Sequence, residues 1–535
     1  MSAVVLDCDV VVVGLGPSGL MVAAHLARRG VRVIAIERHE ALYGLPRAGH
    51  VDHEIVRFLQ EVGVEDKFLA DAYPIQSYHW YNGQGQRLLE MNWGGVSDSG
   101  CNTDYMMYQP VLEDALVTAL DRAKLPPRQL RGHQVNEVTQ DADGVTVKAQ
   151  RTRPDGKGGF TLGDEIVTVR GKWLLAADGA RSSIRERLGI ERHDLGFNEP
   201  ALVVDARVKR PLPLNDPFHV CDPKRPAFIG PLGKRHHRFE LHILPGEDPA
   251  EFSRPEKAWE LLAKQNIGPD DVEIVRQLVY VFEARVAKQW RDNRILLLGD
   301  AAHTMPPFMG QGACSGMRDS VNVAWKLEMV LRGIAPDTLL DSYQTEREPH
   351  TRTWIDISIQ TGEVLCTRDL EQAAKRDALL LSGQAPPVPE FPGLTSGILD
   401  FGPKGERVAP VGSLFPQRAI VRDGQSGFFD DIAGRGFLVV TVDPEVAAKV
   451  GQPAREFLQR IDRGVVTISR TPAPGALVDL DGFYADWFAK HGVVAVIVRP
   501  DYYVYGVARN ADAVDALVAR LQAALTGVAP EASRG

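Results

Sequence analysis

Cys8 to Val13, an apolar and β-branched run, opens directly into Gly14-Leu-Gly-Pro-Ser-Gly19. Such a run favours a strand, and the glycines after it permit a turn too tight for side chains. A helix is expected over Leu20 to Arg29, followed by a second strand, Val31 to Ile36, that delivers Glu37. This pattern fits a βαβ unit that holds a dinucleotide. Gly14 turns the chain, Gly16 lets the backbone approach a pyrophosphate, Gly19 packs helix on strand, and Glu37 meets a ribose. A purely structural glycine turn is the alternative, and the flanking strand, the helix and Glu37 weigh against it.

Two later segments repeat the arrangement of a strand that ends on a carboxylate. Arg294 to Leu298 runs into Gly299-Asp300, a Pro-rich stretch to Pro307, then Phe308-Met-Gly-Gln-Gly-Ala-Cys-Ser-Gly316 and a helix expected over Met317 to Leu331. A carboxylate just past a strand can hold a chain of hydroxyls. The amides of a Gly-rich loop, with the positive end of a helix behind them, can hold a delocalised anion. Lys172 to Ala177 likewise ends at Asp178-Gly179-Ala-Arg-Ser-Ser183, before a charged helix at Ile184 to Leu188. An ordinary strand-turn-helix with a capping Asp is the bland reading of either segment.

Together and in this order, the three segments resemble the class A flavoprotein monooxygenases, the FAD-dependent aromatic hydroxylases, over about residues 8 to 360. The resemblance implies that Gly14, Gly16, Pro17, Ser18 and Gly19 hold the FAD pyrophosphate, with Glu37 and Arg38 at the adenosine ribose. It places Asp300 on the ribityl chain and Asp178 with Gly179 at a turn shared by FAD and the passing nicotinamide. Pro307, Gly310, Gly312, Ala313 and Cys314 fall beside the flavin ring, Arg47 in Pro46-Arg-Ala48 faces it, and Gln109 contacts it. Cys314 stands where members commonly carry Asn, so backbone amides from Gly310 to Ser315 are left as the stabiliser of reduced flavin. Arg181 and Arg185 offer charge to a nicotinamide phosphate without choosing between NADH and NADPH.

The segments Asp222-Pro-Lys-Arg-Pro226, Arg235-His-His-Arg-Phe-Glu240 and Pro245-Gly-Glu247 resemble the 3-(3-hydroxyphenyl)propionate hydroxylase branch. That branch implies a pocket with His50, Phe228, Arg238 and Phe308. His50 would assist deprotonation of a phenol, or be a satisfied structural histidine. Arg238 would bind a substrate carboxylate in bidentate fashion, or pair along its strand with Glu240. The implied reaction uses NAD(P)H and O2 to hydroxylate a phenolic aromatic, such as a hydroxyphenylpropionate, through a flavin C4a-hydroperoxide. A same-fold halogenase or reductase and a non-catalytic flavin-binding module are the alternatives. No Trp-x-Trp-x-Ile-Pro signature supports the halogenase.

The expected architecture is α/β: a Rossmann-like FAD-binding domain (residues 1–190 and 286–380) interleaved with a β-sheet substrate domain (191–285). A Pro- and Gly-rich linker (381–410) leads to a C-terminal thioredoxin-like domain (411–535). That domain contains none of the five cysteines, which excludes disulfide exchange there. The cysteines show no C-x-x-C or zinc spacing, so no metal site is expected and a reducing, cytoplasmic setting is. A net charge of −9 with interspersed signs argues against nucleic acid, and no apolar run is long enough to cross a membrane. A homodimer is the one protein assembly expected.

Overall fold

The computed structural model describes residues 5–155, 159–212, 216–385, 390–402, 405–461, 464–473 and 475–527. Four consecutive valines, Val10–Val13, form a fully buried inner strand, the environment β-branched residues suit best. The six-stranded sheet around them runs Arg291–Asp292, Ile295–Leu297, Trp173–Ala176, Val10–Val13, Val33–Glu37 and Arg128–Arg131. Every pairing but the outermost, between Arg291–Asp292 and Ile295–Leu297, is parallel. The ends carrying Asp300, Asp178, Gly14 and Glu37 therefore meet along one edge, where open α/β sheets bind ligands.

A second, eight-stranded sheet follows the order His303–Thr304, Val272–Ala287, Arg192–Val208, His236–His242, Ala227–Leu232, Phe218–Cys221, Ser77–Asn82 and Arg87–Asn92. It is wider than the expected 191–285 module, because Ser77–Asn82 joins it in parallel with Phe218–Cys221. Its register sets Val203 opposite Glu240, Glu240 opposite Phe228, and Phe228 opposite His219. The neighbouring row on the same face is Arg276, Asp205 and Arg238.

The chain divides into two compact units: Met1–Gly95, Asn102–Val321 and Thr353–Glu390 form one, and Val96–Cys101, Asn322–Arg352 and Phe391–Gly535 the other. In the second unit, Leu438–Thr441 pairs in parallel with Val465–Ser469 and antiparallel with Ala495–Val498, which pairs in turn with Val504–Ala508. This is the expected thioredoxin-like arrangement. Its expected single helix from Val446 to Arg460 is two, Pro444–Lys449 and Gln452–Arg460. The break falls at Gly451, which is extended and donates its amide to Asp515, just before Pro453. Leu394, Leu399 and Val411, in and beside the expected linker, form a core cluster with Tyr503, while residues 386–389 of that linker lie outside the described residues.

Candidate active site

One cavity of about 1240 Å³ opens at the shared strand edge and is roofed by the eight-stranded sheet. Gly14, at φ +93°, adopts a conformation suited to glycine, and a Cβ there would meet the Ala177 carbonyl oxygen at 2.3 Å. Gly16 caps the helix Pro17–Arg28 and a Cβ there would meet nothing within 4 Å, so backbone amides line a cradle at a helix N-terminus. Glu37 ties this loop down: its Oε2 accepts from the Leu15 amide (2.8 Å) and its Oε1 from the His39 amide (3.0 Å). Glu37 and Arg38 both line the cavity.

Asp178 accepts from the Ile184 amide, yet its buried Oδ1 has no partner among the described residues and Asp178 lines the same cavity. Asp300, in the turn Gly299–Ala301, is ringed by protein while its side chain stays open to the cavity. Burial pushes both carboxyls above their usual range, against weaker opposing charges from His303 and Arg47 at Asp300. Unsatisfied acceptors of this kind call for hydroxyl donors from a ligand. The residues present therefore fit a dinucleotide with a hydroxylated chain.

The Gly-rich stretch is less of a loop than expected. Gly310 caps the turn Pro307–Met309 at φ +63°, and the helix begins at Gln311 and runs to Leu331. The Gly310 amide is taken by the Pro307 carbonyl (2.7 Å), so the helix start frees the amides of Gln311, Gly312 and Ala313 rather than the whole run to Ser315. Pro307, Gly310, Gly312 and Ala313 line the cavity. The Cys314 side chain does not: it is fully buried, its thiol points to the His50 and Gly310 carbonyls, and burial holds it protonated. The expected contact of Cys314 with the flavin is thus corrected.

His50 has the hydrogen bonds of a satisfied histidine, the second of its two expected parts. Its Nε2 lies 2.8 Å from Asp104 Oδ1 and its Nδ1 3.2 Å from the Gly310 carbonyl. Burial would lower its pKa, but the Asp104 hydrogen bond and charge outweigh burial and raise it. Both nitrogens face acceptors, so this ring clamps Gly310 to Asp104. Behind it, Arg318 reaches Asp52 and Glu54 at 2.5 Å each and Gln311 Oε1 at 2.9 Å, all buried. Burial would raise the Asp52 carboxyl, yet the Arg318 charge, aided by His53 and His50, holds it at about 2. Nothing in the local sequence pattern marks this network, because its members lie far apart in the chain.

Gln109 lines the cavity and is also bonded to the protein around it. Its Oε1 accepts from the Arg47 (3.0 Å) and Ala48 (2.8 Å) amides, and its Nε2 donates to Glu113 (2.6 Å). It thereby positions the Arg47 segment at the cavity wall. The Arg47 guanidinium stands over the Tyr43 ring at 4.4 Å and is open to the cavity. Arg185 is buried against the Ala301 and Ala180 carbonyls and is structural, whereas Arg181 lines the cavity.

The far end is aromatic. Tyr78 stacks on Trp93 with centroids 5.0 Å apart, and His219 lies 5.2 Å from Phe228 and 6.2 Å from Phe308. Burial, reinforced by His242, pushes His219 down to about 3, so its ring is neutral. Arg238, expected to grip a carboxylate, is already gripped: its Nε and Nη2 meet Asp205 at 2.7 and 3.0 Å, and its Nη1 donates to the Arg47 carbonyl at 2.7 Å. Glu240 lies 3.6 Å from Arg238 without a hydrogen bond. Burial pushes the Glu240 carboxyl up to about 7 despite the Arg238 charge. Sequence reading missed Tyr78, Trp93, His219 and Glu240 as cavity residues, although alternation along the strands carried the signal for the last two.

Residues 7–358 match the family model described as an FAD binding domain, and residues 412–524 match the HcaD C-terminal domain. A probable NADH-specific resorcinol 4-hydroxylase of Rhodococcus jostii (strain RHA1) is 39% identical over 98% of this chain and 96% of that protein. A 3-(3-hydroxy-phenyl)propionate/3-hydroxycinnamic acid hydroxylase of Klebsiella pneumoniae (strain 342) is 33% identical over 94% and 92%. The flavin-dependent monooxygenase PieE, solved with FAD and substrate, shares the fold with TM-score 0.78 at 22% identity, covering 97% of this chain and 99% of that one. Aklavinone-11 hydroxylase, solved with FAD and aklavinone, follows at TM-score 0.76 and 23% identity over 96% and 99%.

Proposed function

The chain belongs to the FAD-binding-domain family of flavin-dependent aromatic hydroxylases, and from that premise we propose that it uses NADH and O2 to hydroxylate a small phenol carrying no carboxylate. One observation carries the choice of substrate. The Arg238 fork is filled by Asp205, and the nearest further polar group is the carboxyl of Glu240, so this end of the cavity offers a hydrogen-bond acceptor where an aromatic acid needs a cation. A resorcinol-like ring, flat and with hydroxyls only, suits walls made by Tyr78, Trp93, Phe228 and Phe308.

FAD, when bound, supplies hydride acceptance and oxygen activation. The chain's own residues would hold and orient it. The loop at Gly16 takes the pyrophosphate, Glu37 the ribose, and Asp300 the ribityl hydroxyls. The amides of Gln311 to Ala313 favour negative charge on the pyrimidine edge, and Arg47 adds a cation beside it. The covering sheet excludes water from the reacting end. NADH as reductant is supported by the Rhodococcus relative, and a reducing cytoplasmic setting by the free state of all five thiols.

A screen of neutral phenols and phenolic acids, with NADH oxidation and product mass as readouts, tests this reading. Resorcinol-type phenols should stimulate oxidation and gain one oxygen. Hydroxyphenylpropionate as the better substrate would overturn the substrate assignment. Oxidation that yields only hydrogen peroxide with every aromatic would favour a reductase.

A further inference from the structure

We propose that Glu240 is the group that accepts the phenolic proton of the substrate. The proposal deepens the hydroxylase reading and rests on it. Glu240 projects from the strand His236–His242, between Val203 and Phe228 on the neighbouring strands, with His219 in the same row one strand beyond Phe228. It is buried, lines the aromatic end of the cavity, and has no hydrogen-bond partner among the described residues. Its neighbours leave it that duty. Arg238 is held by Asp205, which also has Arg276 at 3.9 Å; His219 is neutral; Tyr78 is buried and keeps its proton; and His50 is clamped between Asp104 and Gly310.

In the step itself, the phenolic O–H bond breaks, the proton forms a bond to a Glu240 carboxylate oxygen, and the electron pair stays on the phenol oxygen. From there it spreads to the ortho and para ring carbons and makes them stronger nucleophiles. A base works best when its pKa lies near the operating pH, and burial has brought this carboxyl to about 7. Ionised Glu240 predominates above that value, so turnover should rise with pH through it. The charged and titratable groups facing it are Arg238 from its own strand, Asp205 and Arg276 from the strands beyond, and Tyr78 and His219 from the other side.

The test uses the FAD-loaded full chain with resorcinol as probe, and compares wild type, Glu240→Gln and Glu240→Asp. Flavin content and near-ultraviolet circular dichroism report folding. Glu240→Gln should bind resorcinol with nearly unchanged affinity, lose at least about 100-fold in kcat, and lose the acidic limb of the pH profile. The phenolate band of resorcinol bound to the oxidised enzyme should vanish with it, and Glu240→Asp should restore both in part. A Glu240→Gln enzyme that keeps kcat, the acidic limb and the phenolate band overturns the proposal while wild-type product formation upholds the hydroxylase reading. A Glu240-dependent phenolate band without any hydroxylated product would instead uphold Glu240 and overturn that reading.

Discussion

Asp300 is a carboxylate without a hydrogen-bond partner among the described residues, and a group left so is answered by its ligand. Hydrogen bonds to a charged acceptor contribute about 1.5–3 kcal/mol each, so Asp300→Ala should weaken FAD binding by roughly 10- to 100-fold. Fluorescence titration of the apoprotein with FAD checks this, and unchanged affinity would remove Asp300 from the ribityl role. His50 yields a pH prediction instead. Its folded pKa is raised, so the stability it contributes is present in full below the unfolded value of about 6.5 and is lost as pH rises through the folded one. His50→Asn should therefore lower the thermal midpoint most at mildly acid pH and least at alkaline pH; a deficit independent of pH would show that the imidazolium is not the stabilising form. The place of Gly16 and Asp300 at the cavity was legible from sequence, because each follows a strand that its own motif marks. Arg238 was not, because its role is decided by Asp205, and only strand register reveals that neighbour.

At the scale of the element, the helix Gln311–Leu331 matters most, since its first turn forms one wall of the cavity. Sequence reading starts it at Met317 because Gly310, Gly312 and Gly316 look like a loop. In the fold Gly316 serves packing: a Cβ there would meet Ser18 Oγ at 2.3 Å and the Gly299 Cα at 2.9 Å, so the glycine lets the helix lie against the phosphate loop. Arg318 then pins this turn to the helix His53–Glu61, whose N-terminus Asp52 caps. Arg318→Met takes the guanidinium away from buried Asp52 and Glu54 and should destabilise the protein by about 3–5 kcal/mol. Denaturant unfolding measures that loss, and a change near zero would show the triad replaceable by packing. Asp52 adds an acid signature. Its depressed pKa contributes stability present above the unfolded value of about 3.9 and lost as pH falls towards about 2, so Asp52→Asn should lose most above pH ~4 and converge on wild type in stronger acid.

Across the whole molecule, chain order and spatial order part company. The parallel sheet was legible because four of its strands, Val10–Val13, Val33–Glu37, Trp173–Ala176 and Ile295–Leu297, each carry a buried run that leads into a motif. The extent of the covering sheet was not, since Ser77–Asn82 reaches it by a pairing more than a hundred residues distant. The second unit hides a further non-local feature: Glu346 meets Lys326 at 2.8 Å and Arg499 at 2.7 Å, while Arg499 also holds Asp501 at 2.8 Å, all beneath the surface. Burial would raise Glu346, but the Arg499 and Lys326 charges hold it at about 2, and burial brings Lys326 down to about 8 even beside its partner. Glu346→Gln removes the anion between two buried cations and should destabilise by about 3–5 kcal/mol near neutral pH. The deficit has a direction with pH. A lysine whose folded pKa lies below its unfolded value of about 10.4 binds more protons when unfolded, so stability rises with pH between the two values. Without Glu346 the folded pKa of Lys326 falls further and that window widens, so the variant should recover part of its lost stability on the alkaline side, and adding Lys326→Met should recover part of it at neutral pH. Thermal unfolding of the single and double variants across pH decides the matter: a deficit that neither alkaline pH nor Lys326→Met relieves would mean that lost packing at Glu346, rather than an unpaired buried cation, destabilises the unit.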